Sequence, residues 1–270
     1  MKMRTGYAAF SLLLGLTAPP AFAEGEKTEK VEKVEEARAE TPEPPKSRFL
    51  YVVEMAGATA YIWRGSRVST GLLEPVLQPH ADLGVSAIGP GDIWVGAMTN
   101  RALTGAPGVQ DSAWEVDAYA WYTPTIGPVA LRVGYILYLF PDAVSPNPVD
   151  ALHELVAIGS FNLGIPVTPY AGVYVEPIRL RGVYGVAGAT HTISPIKPLK
   201  IETTLNAGVT AYDGVPLGLQ DITLSSRGTL AIGDSGLYTA LVLAAAYYGR
   251  AGPGEDRFFP YVFLGVGFAN

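Results

Sequence analysis

Apolar and polar residues alternate along most of the chain after residue 48, and this period of two predicts β-strands rather than helices. In residues 201–212, for example, Glu202 and Thr204 share one face while Ile201 and Leu205 share the other. The same alternation marks three further segments, residues 76–87, 113–122 and 129–140. Each strand is therefore predicted to have one face in a polar environment and the other in an apolar one.

Short Gly/Pro turns and longer polar links separate these segments in a regular order. The short turns are predicted at residues 88–91, 124–128, 162–166, 194–198 and 232–236. The longer links are predicted at residues 66–74, 101–111, 140–150, 176–181, 212–220 and 249–257. Five turns and six links predict twelve strands, with both chain ends beside the short turns. Ten or fourteen strands are alternatives, because the alternation is less clean in residues 92–100, 152–161 and 182–192.

Strand length distinguishes a membrane barrel from a soluble β-sandwich. Twelve residues at ~3.3 Å span about 40 Å, which at a tilt of ~40° projects to roughly 30 Å and crosses an outer membrane. Strands of soluble sandwiches average about half that length. The sequence therefore predicts an all-β fold, an antiparallel transmembrane β-barrel with short periplasmic turns and longer extracellular loops. The predicted location is the outer membrane.

The first 47 residues are predicted to lie outside the barrel. Lys2 and Arg4 precede an apolar run, and Ala21-Phe22-Ala23 supplies a small-x-small cleavage site, so residues 1–23 are predicted to be a secretory signal peptide. Residues 24–47 are highly charged, lack aromatic residues and end in a Pro-rich stretch, which predicts a disordered periplasmic tether. A docking arm for a periplasmic partner is the alternative. The barrel is expected to occupy residues 48–270.

Composition excludes several classes of function. The chain has no Cys and only 3 His, so neither a thiol nucleophile nor a zinc site is expected, and no cofactor or metal is predicted. The formal net charge of −6 argues against binding to nucleic acid. Charged residues make up 16% of the chain, against a usual ~25%, which favours contact with outer-membrane lipid.

The last strand carries a pattern that concerns assembly of the barrel. Apolar residues occupy every second position from Val262 through Leu264 and Val266 to Phe268, close to the end of the sequence. This resembles the C-terminal signal by which outer-membrane barrels are recognised, so the barrel-assembly machinery is a predicted partner during biogenesis.

Three short motifs carry a family resemblance. They are Tyr61-Ile62-Trp63-Arg64-Gly65 near the start of the barrel, Glu115-Val116-Asp117 on the fourth strand, and Gly134-Tyr135 with Tyr138-Leu139-Phe140-Pro141 on the fifth. The chain resembles the Gcw_chp (TorF-like) family of uncharacterised bacterial outer-membrane proteins, in which a Tyr-x-aromatic-Arg-Gly segment heads the barrel. The resemblance covers most of residues 56–270 and implies an outer-membrane β-barrel with a transport role.

Two motifs that could indicate an enzyme have simpler explanations. Residues 233–236, Gly-Asp-Ser-Gly, look like the nucleophile loop of a serine protease, but they also suit a tight turn between strands. Outer-membrane phospholipases carry a His-x-Ser pair on one strand face, whereas His191 and Ser194 are three residues apart and fall on opposite faces. No catalytic residue is predicted. A lipid-modifying enzyme is the least favoured alternative.

Parity along the strands assigns charged residues to the lumen. Glu54 and Arg64 are predicted to share the luminal face of the first strand, because both positions are even-numbered. The full set of candidate lumen-lining residues is Glu54, Arg64, His80, Asp82, Glu115, Asp117, Arg132, Glu154, Glu176, Glu202, Asp221 and Arg227. This set holds eight acids and three arginines, so the arginines are expected to bridge carboxylates and the surplus acids to need water or cations.

Two functional hypotheses follow from the charge distribution and from the number of strands. The first is a small channel or transporter for small solutes or ions, with a lumen that prefers cations. The second is a structural or interaction barrel whose lumen is plugged, because a barrel of twelve strands lies between packed and water-filled sizes.

Overall fold

The strands of the chain form one closed antiparallel sheet. A computed structural model describes residues 49–64, 66–67, 75–103, 114–141, 151–249 and 257–270. The strands are β1 (Phe49–Ala58), β2 (Ile62–Trp63), β3 (Ser66–Arg67), β4 (Val76–Leu77), β5 (His80–Ile88), β6 (Gly91–Ala102), β7 (Trp114–Ile126), β8 (Val129–Leu139), β9 (Ala151–Phe161), β10 (Val167–Glu176), β11 (Gly182–Ile196), β12 (Leu199–Tyr212), β13 (Val215–Ala231), β14 (Leu237–Tyr248) and β15 (Phe258–Ala269). The predicted signal peptide and tether lie outside the described residues.

The first and last strands close the barrel. Glu54 on β1 pairs with His80 on β5 and with Gly267 on β15, so every barrel strand has a neighbour on both sides. Twelve strands make the wall, with β4 extending the line of β5, while β2 and β3 form a separate hairpin. The prediction of a twelve-stranded barrel is confirmed. The described residues contain no helix that is long and apolar enough to cross a membrane.

The connections follow the predicted asymmetry, with one difference. All five short turns fall within their predicted ranges, at the same end of the barrel as Phe49 and Ala269. The predicted link at residues 212–220 is instead a tight turn at Asp213 and Gly214, and β13 begins at Val215. Gly214 has a φ of 77°, the left-handed conformation that a two-residue hairpin turn requires and that an Asp-Gly pair favours.

The first strand ends earlier than the parity argument assumes. β1 stops at Ala58, and the chain then turns into the barrel, so the prediction that Arg64 lies on this strand is wrong. Arg64 has a φ of 43° and lies in the turn of the β2–β3 hairpin. We call residues 59–64 the inward segment. Its apolar residues Ala60 and Ile62 are buried against Ala246 and Phe259 of the wall, which explains why it folds inwards.

The outer wall of the barrel is apolar. Leu155, Leu205 and Leu264 are 54%, 55% and 61% exposed, and the alternate residues on the same strands face inwards. A band of large exposed apolar side chains of this kind is stable against lipid rather than water. The polar side chains of these strands therefore lie in the interior of the barrel.

Candidate functional site in the barrel interior

The interior has two regions, which we name by the ends of the barrel. The loop side lies next to the five longer links and the Asp213-Gly214 turn, and the turn side lies next to the five other short turns and the ends of the barrel chain. Among the predicted residues, those in the loop-side cluster are Arg64, Glu115, Asp117, Glu154 and Asp221. Those in the middle and on the turn side are Glu54, His80, Asp82, Arg132, Glu202 and Arg227. Glu176 closes a loop and is described separately below.

Arg64 is held from three directions. Its Nη2 atom lies 2.7 Å from Oε1 of Glu154 on β9. Its guanidinium carbon lies 4.8 Å from the ring centroid of Tyr174 on β10 and 4.1 Å from that of Tyr184 on β11. The Tyr138 hydroxyl on β8 donates to the other oxygen of Glu154 at 2.7 Å. We call Glu154, Tyr174 and Tyr184 the cage.

The rest of the inward segment touches the wall on other sides. The Tyr61 hydroxyl donates to Oε1 of Glu115 on β7 at 2.8 Å. Nε2 of Gln220 on β13 donates to the backbone carbonyl of Arg64 at 3.4 Å. Together with the packing against β14 and β15, these contacts extend across the lumen. The inward segment therefore fills much of the loop side.

The loop-side cluster has an excess of negative charge among the residues whose side chains the structure describes. Four carboxylates, Glu115, Asp117, Glu154 and Asp221, accompany one arginine, Arg64. Asp221 accepts hydrogen bonds from Tyr184 at 2.9 Å and Thr223 at 3.2 Å. Asp117 is 1% exposed, and neither of its carboxylate oxygens has a hydrogen-bond partner among the described residues.

The turn side holds a second set of ion pairs. Oε2 of Glu54 accepts from Nη2 of Arg227 at 2.6 Å and from the Tyr238 hydroxyl at 2.7 Å. Lys200 and Glu202, both on β12, form an ion pair at 3.0 Å. The side chains of Arg227 and Lys200 are 18% and 32% exposed, which shows that water reaches this region.

The middle of the barrel joins the two regions. Asp82 accepts a hydrogen bond from the Tyr119 hydroxyl at 2.5 Å, and His80 lies 4.0 Å from the same carboxylate. The Arg132 guanidinium lies 5.7 Å from the Trp121 ring and forms no ion pair with a described residue. The expectation that arginines bridge carboxylates thus holds for Arg64 and Arg227, whereas Arg132 lies over the Trp121 ring instead of forming such a pair with a described residue.

Glu176 acts on its own loop. Its carboxylate accepts backbone hydrogen bonds from Ile178, Arg179, Leu180 and Arg181, which follow it in the β10–β11 link. The expectation that every surplus acid needs water or a cation is therefore wrong for this residue, since successive backbone N–H groups stabilise its charge.

Several important side chains were not in the predicted set. The same even parity would have found Tyr138, Tyr174, Tyr184 and Lys200, whose strands are correctly placed. Gln220 could not be found in this way, because Asp221 and Arg227 assign the odd-numbered positions of β13 to the lumen. A register shift beside Gly208 gives β13 an extra residue there, and both Gln220 and Asp221 are buried.

Gly208 has a specific role in shaping the cage. A Cβ atom at this position would collide with the ring and hydroxyl of Tyr184 and with the Asp221 carboxylate. The absence of a side chain lets the Tyr184 ring lie against the wall, from where it contacts the guanidinium group.

The Gly-Asp-Ser-Gly motif forms a turn, as predicted. Residues 233–236 connect β13 and β14, and the Ser235 hydroxyl donates to the Ile232 carbonyl at 3.0 Å and accepts from the backbone N–H of Leu237 at 3.2 Å. The serine therefore stabilises a hairpin connection.

Comparison with known proteins supports the fold. The solved KdgM porin has a TM-score of 0.50 with this chain at 10% identity, and the match covers 80% of this chain and 98% of that chain. The solved COG4313 outer membrane channel from Pseudomonas putida F1 has a TM-score of 0.47 at 10% identity, covering 88% of this chain and 100% of that chain. No family model and no curated protein matches the sequence, so membership of the Gcw_chp family stays a prediction. The chain has the fold of an outer-membrane β-barrel, and this fold with its apolar belt is consistent with an outer-membrane location.

Proposed function

We propose that the protein is an outer-membrane channel for small solutes or ions, that its lumen favours cations, and that the inward segment forms its narrowest part. The observation that carries this proposal is the loop-side cluster, where four carboxylates accompany Arg64 among the described residues. Acidic side chains raise the local concentration of cations, and a low-dielectric wall strengthens the effect. The partly exposed side chains of Lys200 and Arg227 support a water-filled turn side.

The predicted lumen-lining residues have distinct roles in this proposal. The loop-side carboxylates select for charge, and Arg64 limits the opening. The turn-side pairs, Glu54 with Arg227 and Glu202 with Lys200, are close to neutral and act as a vestibule. The resemblance to the Gcw_chp family agrees with such a transport role and belongs to the same proposal, as do contacts with outer-membrane lipid and with the assembly machinery.

Planar-bilayer recording of the purified protein tests the proposal. We expect discrete conductance steps and, across a KCl gradient, a reversal potential with the sign of a cation-selective pore. The preference should weaken as the salt concentration rises, since charges are screened over about 10 Å at 0.1 M. A pore selective for anions, or a folded protein that never conducts, would overturn it.

A barrel with a plugged lumen is a second candidate, favoured by one observation. Tyr138, Glu115 and Asp221 are each 0% exposed, so water does not reach the loop-side cluster in this conformation. This candidate predicts that wild type and Arg64→Ala both assemble and that neither conducts. A catalytic role is not proposed, and hydrolysis of phospholipid by the pure protein would contradict that assignment.

A further inference from the structure

The cage around Arg64 has the geometry of a cation-binding site. A carboxylate lies within 2.7 Å of the guanidinium, and two aromatic rings lie within 4.8 Å and 4.1 Å of its central carbon. Aromatic faces attract cations, most strongly where water is excluded, and a carboxylate supplies the matching charge. Arg64 is 7% exposed, so the site excludes water. The same features would hold any planar or compact organic cation.

The cage residues lie on paired strands, and two of them have partners other than Arg64. Tyr174 pairs with Tyr184 across β10 and β11, and Glu154 belongs to β9, so all three residues lie on consecutive strands of the closed sheet. The Tyr184 hydroxyl is fixed by Asp221, and the Glu154 carboxylate is fixed by Tyr138. Binding there would cost little ordering of the protein.

The inward segment lies outside the closed sheet that carries the cage. Among the described residues, β2 and β3 pair only with each other, over two pairs of residues. The polar contacts of this segment with the wall include two hydrogen bonds between Thr59 and Val262 on β15, as well as those of Tyr61, of Arg64 and of the Arg64 carbonyl. The cage residues therefore belong to the closed sheet, whereas Arg64 reaches the cage from a hairpin outside that sheet.

We propose that the cage is a binding site for the guanidinium or primary ammonium group of a small organic cation, and that Arg64 occupies this site when the solute is absent. The inference rests on the proposed function and names the class of solute that the channel admits. Entry of the solute displaces Arg64, and the surplus of loop-side carboxylates stabilises the incoming charge. A neutral or anionic solute gains nothing from this exchange.

Competition with Arg64 sets the expected affinities. A tethered side chain acts as a competitor at an effective concentration in the millimolar range, so removal of Arg64 should raise the apparent affinity for an external cation at least about tenfold. The difference in apparent affinity between wild type and the Arg64 variant therefore measures the cost of displacing Arg64 from the cage.

Methylguanidinium chloride is the probe, with NaCl at the same concentration as the reference. The variants are Arg64→Ala, Arg64→Ala/Glu154→Gln and the control Arg101→Ala, which removes an exposed arginine stacked 5.0 Å from the Trp114 ring. Arg64→Gln replaces Arg64→Ala if the latter does not assemble. One readout is the block of ionic current, and the other is the temperature at which the heat-modifiable barrel unfolds.

We expect low millimolar methylguanidinium to reduce the current of Arg64→Ala reversibly and to raise its unfolding temperature. Wild type and Arg101→Ala should need at least about ten times more of the probe, because Arg64 still fills the cage. The double variant should respond no more than it does to NaCl. The proposal would be overturned if the probe changed neither the current nor the unfolding temperature of Arg64→Ala, or if the double variant responded to the probe as strongly as Arg64→Ala does.

The two readouts separate this inference from the proposed function. If no variant conducts but the probe stabilises Arg64→Ala alone, the binding site is supported and the channel is contradicted. If wild type conducts cations and the probe has no effect on Arg64→Ala by either readout, the channel is supported and the binding site is overturned.

Discussion

The loop side and the turn side of the interior are built from the same alternating strands, yet water reaches them differently. On the loop side Glu115 and Asp221 are fully buried, whereas on the turn side the side chains of Lys200 and Arg227 are 32% and 18% exposed. The inward segment fills the first region, and no described residue fills the second in the same way. A loop segment, rather than the barrel wall, therefore decides how far the lumen is open.

The difference in exposure to water also changes how strongly the ion pairs stabilise the two regions. A buried pair such as Arg64 with Glu154 is costly to break, because one partner is left without compensation. A partly exposed pair such as Lys200 with Glu202 is screened by water and salt and contributes little. Substitutions should therefore have large effects at the buried pair on the loop side and small effects at the partly exposed pair on β12.

The largest expected effect concerns the attachment of the inward segment. The chain has no Cys, so Ile62→Cys introduces a unique thiol at a position that is 7% exposed. Adding Glu154→Gln removes the carboxylate that pairs with Arg64 and should destabilise the packed segment by about 3 kcal/mol, which raises thiol labelling roughly 100-fold. Labelling kinetics in detergent measure this. Equal rates in the two backgrounds would mean that the ion pair of Arg64 does not hold the segment.

An intermediate effect is expected at Glu54, the most buried acid of the turn side. Glu54→Gln weakens the hydrogen bonds from Arg227 and Tyr238, which join β1 to β13 and β14 beside the closure of the barrel. We expect a loss of about 2 kcal/mol in the free energy of unfolding. Denaturant titration of the barrel measures the loss. In the Ile62→Cys background the rate of thiol labelling should stay unchanged, and faster labelling would contradict the separation of the two regions.

A smaller effect is expected at the exposed pair on β12. Lys200→Gln removes a positive charge from the vestibule and should increase cation preference slightly, by less than about 1 kcal/mol in effective interaction. Glu202→Gln is the matched control and should shift the preference the other way. Reversal potentials at low and high salt measure both, and the difference should vanish at high salt.

The smallest effect is expected from residues 24–47, the predicted periplasmic tether. Deleting these residues, with the predicted signal peptide retained, should leave assembly, the unheated gel migration and the conductance unchanged, because a segment of this composition is not expected to contribute a core. Outer-membrane fractionation and gel migration measure this. A deletion that abolishes assembly would instead assign the segment a role in biogenesis.

Much of the fold follows from the sequence because it depends on local patterns. A period of two, with Gly/Pro turns, predicts the strands, a count of twelve with ten and fourteen as alternatives, and the end at which the first and last strands of the barrel meet the short turns. The same parity indicates which residues point inwards, including Glu54, Glu154 and Arg227. The same parity could also have predicted Lys200 as a luminal residue, since it lies two residues before Glu202 on the same strand.

The path of the inward segment could not be predicted in the same way. Residues 59–63 are rich in β-branched and aromatic residues, which favour a strand, so the local sequence does not distinguish continuation of β1 from a turn at Thr59. The turn is stabilised by distant partners, since Tyr61 contacts Glu115 and Arg64 contacts Glu154, at separations of 54 and 90 residues. Arg64 was correctly singled out as a partner of a carboxylate, but for a position on the wrong element.

Single-channel recording of wild type, Arg64→Ala and Arg101→Ala under the same conditions tests the central claim most directly. If the inward segment and its arginine form the barrier, Arg64→Ala conducts more and is more cation-selective than wild type, while Arg101→Ala matches wild type. Equal conductance in all three, or an Arg64→Ala pore shifted towards anions, would contradict the account.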